Sequence, residues 1–337
     1  MKRPYYLFNG GTMSRKDNTL CFVSDTLDEK GEKKPAKYIP IETASELFVF
    51  GQLDVNAALL NFLGQQSVAV HFFDYYEHYT GSFMPRDYLL AGKMQIEQTK
   101  AYLSNKKRIA IAQSFIDGAS FNMLKNLKYY DGRGRDLEPV IELIAKYRES
   151  IPLSKDVPEL MGIEGNCRQT YYSAFDVIIN DFEMGNRTKQ PPSNEVNALI
   201  SFGNMMCYTL ALSQIYHTQL NPTISFLHEP GARRYSLALD IAEIFKPILV
   251  DRCIFKLLNK KEIQAKHFDK NLNGCRLNTT GRQIFAREWD ERLKETIKHR
   301  TLGKSVSYRH LVKLECYKLQ KFILGLDEAY KPFKIWW

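Results

Sequence analysis

The stretch SFLHEPGARRYSLALDIAEIFKPILVDR, residues 225–252, decides how the rest of the chain is read. Ile224, Phe226 and Leu227 form an apolar approach that delivers His228 into a turn carrying Gly231, Ala232, Arg233 and Arg234. Ser236 offers a helix cap, and Leu237, Ile241, Ile244 and Phe245 supply the buried stripe of the helix that follows. Asp240 and Glu243 lie three apart on it, so both carboxylates lean to one side. Pro247 either kinks that helix or ends it, and 248–258 continues as a second helical piece. One imidazole, two carboxylates and two guanidiniums near a single turn suit a metal ion holding a phosphate. Any one of them alone reads more simply as a satisfied structural or solvated residue.

Composition narrows the classes. Of 337 residues, 44% are hydrophobic and 25% charged, which describes a globular chain of one large domain or two ordinary ones. No apolar run approaches the roughly 20 residues of a membrane span, and MKRPYYLFNGG lacks the apolar segment of a signal peptide, so no membrane is expected as a partner. Cys21, Cys167, Cys207, Cys253, Cys275 and Cys316 are scattered without a close pair. That argues against a CxxC zinc site and a disulfide framework, and favours a reducing cytoplasm. Residues 252–337 hold 20 Lys or Arg against 9 Asp or Glu, a net +11 in a chain of net +9, so the remainder sums to −2. A basic third on a neutral body suggests a polyanion partner, the plainer alternative being a solvated helical surface.

Short β-branched or aromatic runs at Tyr5–Phe8, Leu20–Val23, Lys37–Pro40, Glu46–Phe50 and Ser67–Asp74 predict strands, with a short helix at Leu59–Leu63 stopped by Gly64. His71 falls inside a buried run and reads as core. The turn-rich segment YYEHYTGSFMPRDY, Tyr75 onward, reads as an interdomain linker. Beyond it, apolar residues at three- and four-residue intervals predict helices over Arg86–Leu103, Lys106–Lys128 and Leu137–Glu149. After Pro158 comes a stripe of Leu160, Ile163, Cys167, Tyr171, Ala174 and Ile178, with Glu164 beside it and Arg168 one turn later. A carboxylate at the margin of a buried face can be held rigidly, as a metal ligand must be; an ordinary Glu–Arg pair is the simpler account.

The helix Glu195–Leu212 is mostly apolar but carries Asn197, Ser201 and Asn204, which either orient site carboxylates, bind phosphate or bond to a neighbouring helix. A small hairpin is expected from Ile263–Phe268 and Cys275–Leu277, then helices over Arg282–Lys298 and Ser307–Leu324. The first carries Arg282, Arg287, Arg292, Lys294 and Lys298, and the second places Arg309, Lys313 and Lys318 on its wet side, a surface that suits a DNA backbone.

Three separated signatures, in this order, carry a resemblance: Glu164-Gly165 with Tyr171-Tyr172, the PP-x-x-x-VNALISFG segment of Pro191–Gly203, and residues 225–252. Together they resemble the CRISPR-associated protein one family, the integrases and endonucleases of spacer acquisition in prokaryotic antiviral defence, over nearly the whole chain. The resemblance implies an α+β multidomain fold: a β-rich dimerisation domain over residues 1–80, a linker over 81–90, and a helical catalytic and DNA-binding domain over 91–337. It implies a Mg²⁺ or Mn²⁺ ion held by Glu164, His228 and Glu243, with Asp240 and Asn197 as supporting residues or alternative ligands. Oxygen ligands suit either ion, and an imidazole leans toward Mn²⁺. Arg168, Arg233, Arg234, Arg252, Arg282 and Arg287 would face DNA. The implied partners are double-stranded DNA, a second copy of the chain as a homodimer, and CRISPR-associated protein two.

The activity expected from that resemblance is attack of a fragment's 3′-hydroxyl on a phosphodiester of the repeat, with nicking or cleavage when water attacks instead. A noncatalytic DNA-binding scaffold of the same fold and a stand-alone nuclease for branched DNA are the rival readings. A zinc hydrolase is disfavoured, since no Cys or second His has ligand spacing.

Overall fold

In the computed structural model the described residues are 2–27, 31–85, 89, 91–231, 235–271 and 274–336. The chain divides into two compact units, Met1–Tyr88 and Leu89–Trp337.

The first unit holds β1 (Arg3–Leu7), β2 (Gly11–Lys16), β3 (Thr19–Ser24), β4 (Lys37–Pro40), β5 (Ala44–Val49), β6 (Leu53–Asp54), α1 (Ala57–Gln65), β7 (Ala69–Phe73) and β8 (Tyr79–Phe83). These form two four-stranded sheets, ordered β1-β5-β7-β8 and β4-β3-β2-β6. In the first sheet β1, β5 and β7 run parallel and β8 closes antiparallel. Strand alternation sends Tyr5, Leu7, Leu47, Val49 and Val70 into one apolar core with Met13, Leu20, Phe22 and the α1 residues Leu59, Phe62 and Leu63. Their sequence neighbours stack on the opposite face, Phe48 on Tyr6 and Phe50 on Phe8 and Phe73. His71 is fully buried between Ser82 Oγ at 2.7 Å and Glu46 Oε2 at 3.2 Å, a core histidine as expected.

One expectation fails here. Tyr79–Phe83 is a strand of the first sheet rather than part of a linker, and residues 86–88 and 90 lie outside the described residues. Its Gly81 and Ser82 look like turn residues, but pairing with Phe72 and His71 supplies what local propensity lacks.

The second unit contains α2 (Gly92–Leu103), α3 (Asn105–Asp131), α4 (Glu138–Ser150), α5 (Val157–Ser173), α6 (Phe175–Ile178), α7 (Glu195–Tyr216), α8 (Ser236–Lys246), a π-helical turn (Pro247–Asp251) and α9 (Arg252–Asn259). Then follow the hairpin β9 (Phe268–Asn271) and β10 (Gly274–Leu277), α10 (Thr279–Lys294), the hairpin β11 (Thr296–Lys298) and β12 (Ser305–Ser307), and α11 (Tyr308–Ile323). The second hairpin replaces the last turn of the helix expected to reach Lys298.

The α7 helix is apolar nearly all round because it is the central helix of this unit. By length and composition it is also apolar enough to cross a membrane, which corrects the expectation that no run approaches that length; 78% of its most apolar window is buried inside the protein. Gly203 on α7 lets the π-helical turn come close, since a Cβ there would sit 2.4 Å from Val250 Cγ1 and 3.0 Å from Phe285 Cζ.

Pro247 neither ends the helix nor merely bends it. It has no N–H to give the carbonyl four residues back, and the chain continues through the wider π turn into α9. Buried side chains cover carbonyls near the break. Asn122 Nδ2 donates to Ile244 O at 2.9 Å, Asn126 Nδ2 to Pro247 O at 2.6 Å, and Arg292 Nε to Ile248 O at 3.0 Å.

Candidate active site

Two helices and one loop supply the site. Asp156 caps α5 by accepting from Glu159 N at 2.8 Å, and the buried Leu160, Cys167 and Tyr171 fix which way the helix faces. Glu164 and Arg168 therefore share its flank, and Arg168 Nε donates to Glu164 Oε1 at 2.8 Å. Arg168 Nη2 also reaches across to Glu243 Oε2 on α8, and Lys246, one turn further along α8, pairs with Glu243 Oε1. Four charged side chains thus form one chain of contacts, Glu164–Arg168–Glu243–Lys246. Burial alone would raise the Glu243 pKa, but Arg168 and Lys246 hold it down to about 2, with a smaller pull from His228.

His228 is placed by Asp240. Phe226 N and Leu227 N donate to Asp240 Oδ2 at 2.7 and 3.0 Å, and His228 N donates to Oδ1 at 3.0 Å. The ring atom Nδ1 lies 2.8 Å from the same Oδ1. A carboxylate only accepts, so Nδ1 carries the hydrogen and the lone pair of a neutral ring lies on Nε2. Asp240, fully buried, is thereby committed to the loop through both of its oxygens. Asp240 and Glu243, three apart on one helix, serve different partners.

The loop has further supports that its sequence did not reveal. Gln98 on α2, fully buried, donates to Asn221 O and Ile224 O at 3.0 and 2.8 Å and accepts from Asn221 N at 2.9 Å. Arg108 on α3 donates to Phe226 O at 3.1 Å and pairs with Glu229. Ser236, expected as a cap, is instead the first helical residue, and its Oγ donates to Thr223 O at 3.0 Å.

Asn197 does not reach the carboxylates. Its side chain bonds to the preceding loop, donating to Met184 O at 3.3 Å and Asn186 O at 3.0 Å and accepting from Thr188 N at 3.0 Å. It also holds Arg187 Nη1 at 2.9 Å, while Ser201 Oγ takes Nη2 at 3.1 Å. Asn197 and Ser201 therefore anchor the preceding loop, and Asn197, implied as a supporting residue or alternative ligand, has its side chain engaged there.

The cations expected at DNA divide. Arg168 lies between two carboxylates, and Arg252 stacks on Tyr129 with its guanidinium 4.2 Å from the ring centre. Arg282 Nη2 is 3.4 Å from Thr279 Oγ1, and Arg287, with a 66% exposed side chain, stands 3.9 Å from Glu262. Arg233 and Arg234 lie outside the described residues. Lys246 was not singled out by sequence, although its three-residue spacing from Glu243 was the available signal.

Two carboxylates and an imidazole with a free Nε2 are suitable donors for a hard divalent ion. Their present arrangement is not that of a ligand group: among the described residues no three His, Cys, Asp or Glu side chains are grouped to hold a metal. The oxygens of Glu243 are taken by Arg168 and Lys246 instead.

A β-rich unit followed by a helical unit is the architecture of a defined class of solved proteins. A CAS1 protein from Thermotoga maritima superposes with a TM-score of 0.84 at 40% identity, covering 97% of this chain and 98% of that one. A casposase bound to integration product shares the fold, with a TM-score of 0.88 at 19% identity over 100% of this chain and 95% of that one. The family model described as CRISPR associated protein Cas1 matches residues 5–291, and the chain belongs to that family. A relative from Fusobacterium nucleatum, named CRISPR-associated endonuclease Cas1, is 46% identical over 340 residues, which is 100% of this chain and 98% of the relative.

Proposed function

We propose that the chain is a DNA integrase and endonuclease of CRISPR spacer acquisition. The 3′-oxygen of a captured fragment attacks a phosphodiester of the repeat, forming a new P–O bond as the P–O3′ bond of the repeat strand breaks and that strand leaves as a 3′-hydroxyl; with water as nucleophile the same bond cleavage nicks or cuts DNA. The observation that carries this reading is the linked cluster of Glu164, Arg168, Glu243 and Lys246, with His228 oriented by Asp240, in a chain of the Cas1 family.

Mg²⁺ or Mn²⁺ is the proposed cofactor, with Glu164, His228 Nε2 and Glu243 to hold it; such an ion neutralises a phosphodiester and polarises the attacking oxygen. Asp240 keeps the imidazole in one tautomer and one orientation. Arg168 and Lys246 bring positive charge beside the carboxylates, where a phosphate would otherwise be repelled. The excess of Lys and Arg in residues 252–337 supports double-stranded DNA as the substrate. A homodimer working with CRISPR-associated protein two is the proposed assembly, on the family resemblance. Six free, buried cysteines support a reducing cytoplasm as its place.

Glu164→Ala and His228→Ala proteins test this, assayed for strand transfer with Mn²⁺ and separately for DNA binding. Loss of transfer with binding retained is expected. A wild-type chain that binds DNA but is inert with every divalent ion would make it a scaffold. Cleavage of branched DNA with no strand transfer, and no need of the partner protein, would make it a repair nuclease.

A further inference from the structure

The side chain that joins the two carboxylates also stands in the way of an ion. Arg168 Nε is 2.8 Å from Glu164 Oε1, and its Nη2 is bonded to Glu243 Oε2. Lys246 takes the remaining oxygen of Glu243. Both oxygens of a carboxylate that is 7% exposed are therefore engaged by cations of the chain itself. Two carboxylates brought together repel each other unless a positive charge lies between them, so metal-free protein needs such a bridge. A divalent ion needs the same lone pairs.

We propose that Arg168 is the exchangeable counter-cation of the Glu164–Glu243 pair, holding the two together before an ion enters and releasing Glu243 when it does. This rests on the metal-dependent reading above. Arginine cannot discharge by losing a proton, so the conflict with a doubly charged ion is resolved only by movement. Arg168 sits one helical turn from Glu164, and it can keep that contact while its outer nitrogen leaves Glu243. The freed nitrogen then has an anionic partner available in a phosphodiester, where a planar fork of donors fits two oxygens. Ion uptake and DNA binding are thereby made mutually favourable through one side chain, and by linkage each raises the affinity for the other by the same factor.

The test is Mn²⁺ binding by the full chain without DNA, read from the electron paramagnetic resonance signal of free ion. Arg168→Gln removes the competing charge, and Arg168→Lys keeps the charge but cannot fork between two carboxylates. Both are expected to bind Mn²⁺ more tightly than wild type, Arg168→Gln by roughly tenfold or more. With DNA added, wild type should show stronger DNA binding in Mn²⁺ than in its absence, and Arg168→Gln should lose most of that gain. Equal or weaker Mn²⁺ binding by the folded variants would overturn the proposal; should Arg168→Gln not fold, the Arg168→Lys comparison decides it. Glu164→Gln separates this from the reading beneath it. If that variant binds Mn²⁺ as wild type does, the ligand set itself is wrong, whatever Arg168 does.

Discussion

His228 Nδ1 and the backbone N–H of the same residue both point at Asp240 Oδ1, at 2.8 and 3.0 Å. One buried oxygen on α8 therefore sets the position of the main chain and the orientation of the ring together. Replacing Asp240 by Asn turns one acceptor oxygen into an NH₂ that faces donors. We expect Asp240→Asn to lose about 2–4 kcal/mol in urea unfolding, because buried N–H groups lose their acceptor. Strand transfer should fall by roughly 10–100-fold, because the proposed ligand His228 loses the partner that orients its ring. Wild-type activity in this variant would mean that the ring is placed by something else.

The carbonyls at the π-helical turn give a second expectation. Asn126 Nδ2 serves both Pro247 O at 2.6 Å and the Tyr171 hydroxyl at 2.9 Å. Asn126→Ala leaves a buried carbonyl unpaired and should destabilise the chain by about 1–3 kcal/mol, measured by chemical denaturation. Since the break begins four residues after Glu243, about one helical turn along, strand transfer should fall more than the stability loss alone explains when assayed well below the melting temperature.

Gly203 gives a purely steric case. A methyl group there would stand 2.4 Å from Val250 Cγ1. Gly203→Ala should cost about 1–3 kcal/mol through overpacking, and Val250→Ala in the same chain should recover part of it. If the two effects simply add in thermal melts, α7 and the turn do not pack as described.

Stability should vary with pH in opposite senses at two carboxyl groups. Burial pushes Asp251 up to about 7, against the pull of Arg168 and a hydrogen bond with Tyr171. A carboxyl whose folded pKa is raised contributes fully below its unfolded value of 3.8, and that contribution is lost as pH rises through about 7. Glu243 is held down to about 2, so its contribution is present above its unfolded value of 4.5 and is lost as pH falls toward 2. Asp251→Asn should flatten the decline of unfolding free energy between about pH 4 and 7 and exceed wild type at about pH 8. An unchanged slope in urea melts would show that Asp251 is ionised in the folded chain at neutral pH.

Much of the fold was legible because local patterns and tertiary packing agree. Runs such as Val68–Phe73 are buried on both faces and read as strands, and α3, α4 and α5 show their periodicity openly. β8 and the β11–β12 hairpin were not legible, since short segments rich in Gly, Ser and Lys become strands only when a partner strand is supplied.

The same division holds at the site. Sequence alone determined that Glu164 and Arg168 lie on one helical face and that Asp240 and Glu243 share another helix, because helical spacing is a local property. It also determined the family, through three motifs in order. Only the tertiary structure decided that Arg168 crosses to a carboxylate 75 residues away, that Asp240 is committed to the His228 loop, and that Asn197 serves a different loop altogether. Such choices depend on which buried polar groups meet once the helices pack, and a buried charge takes whatever partner the packing brings to it.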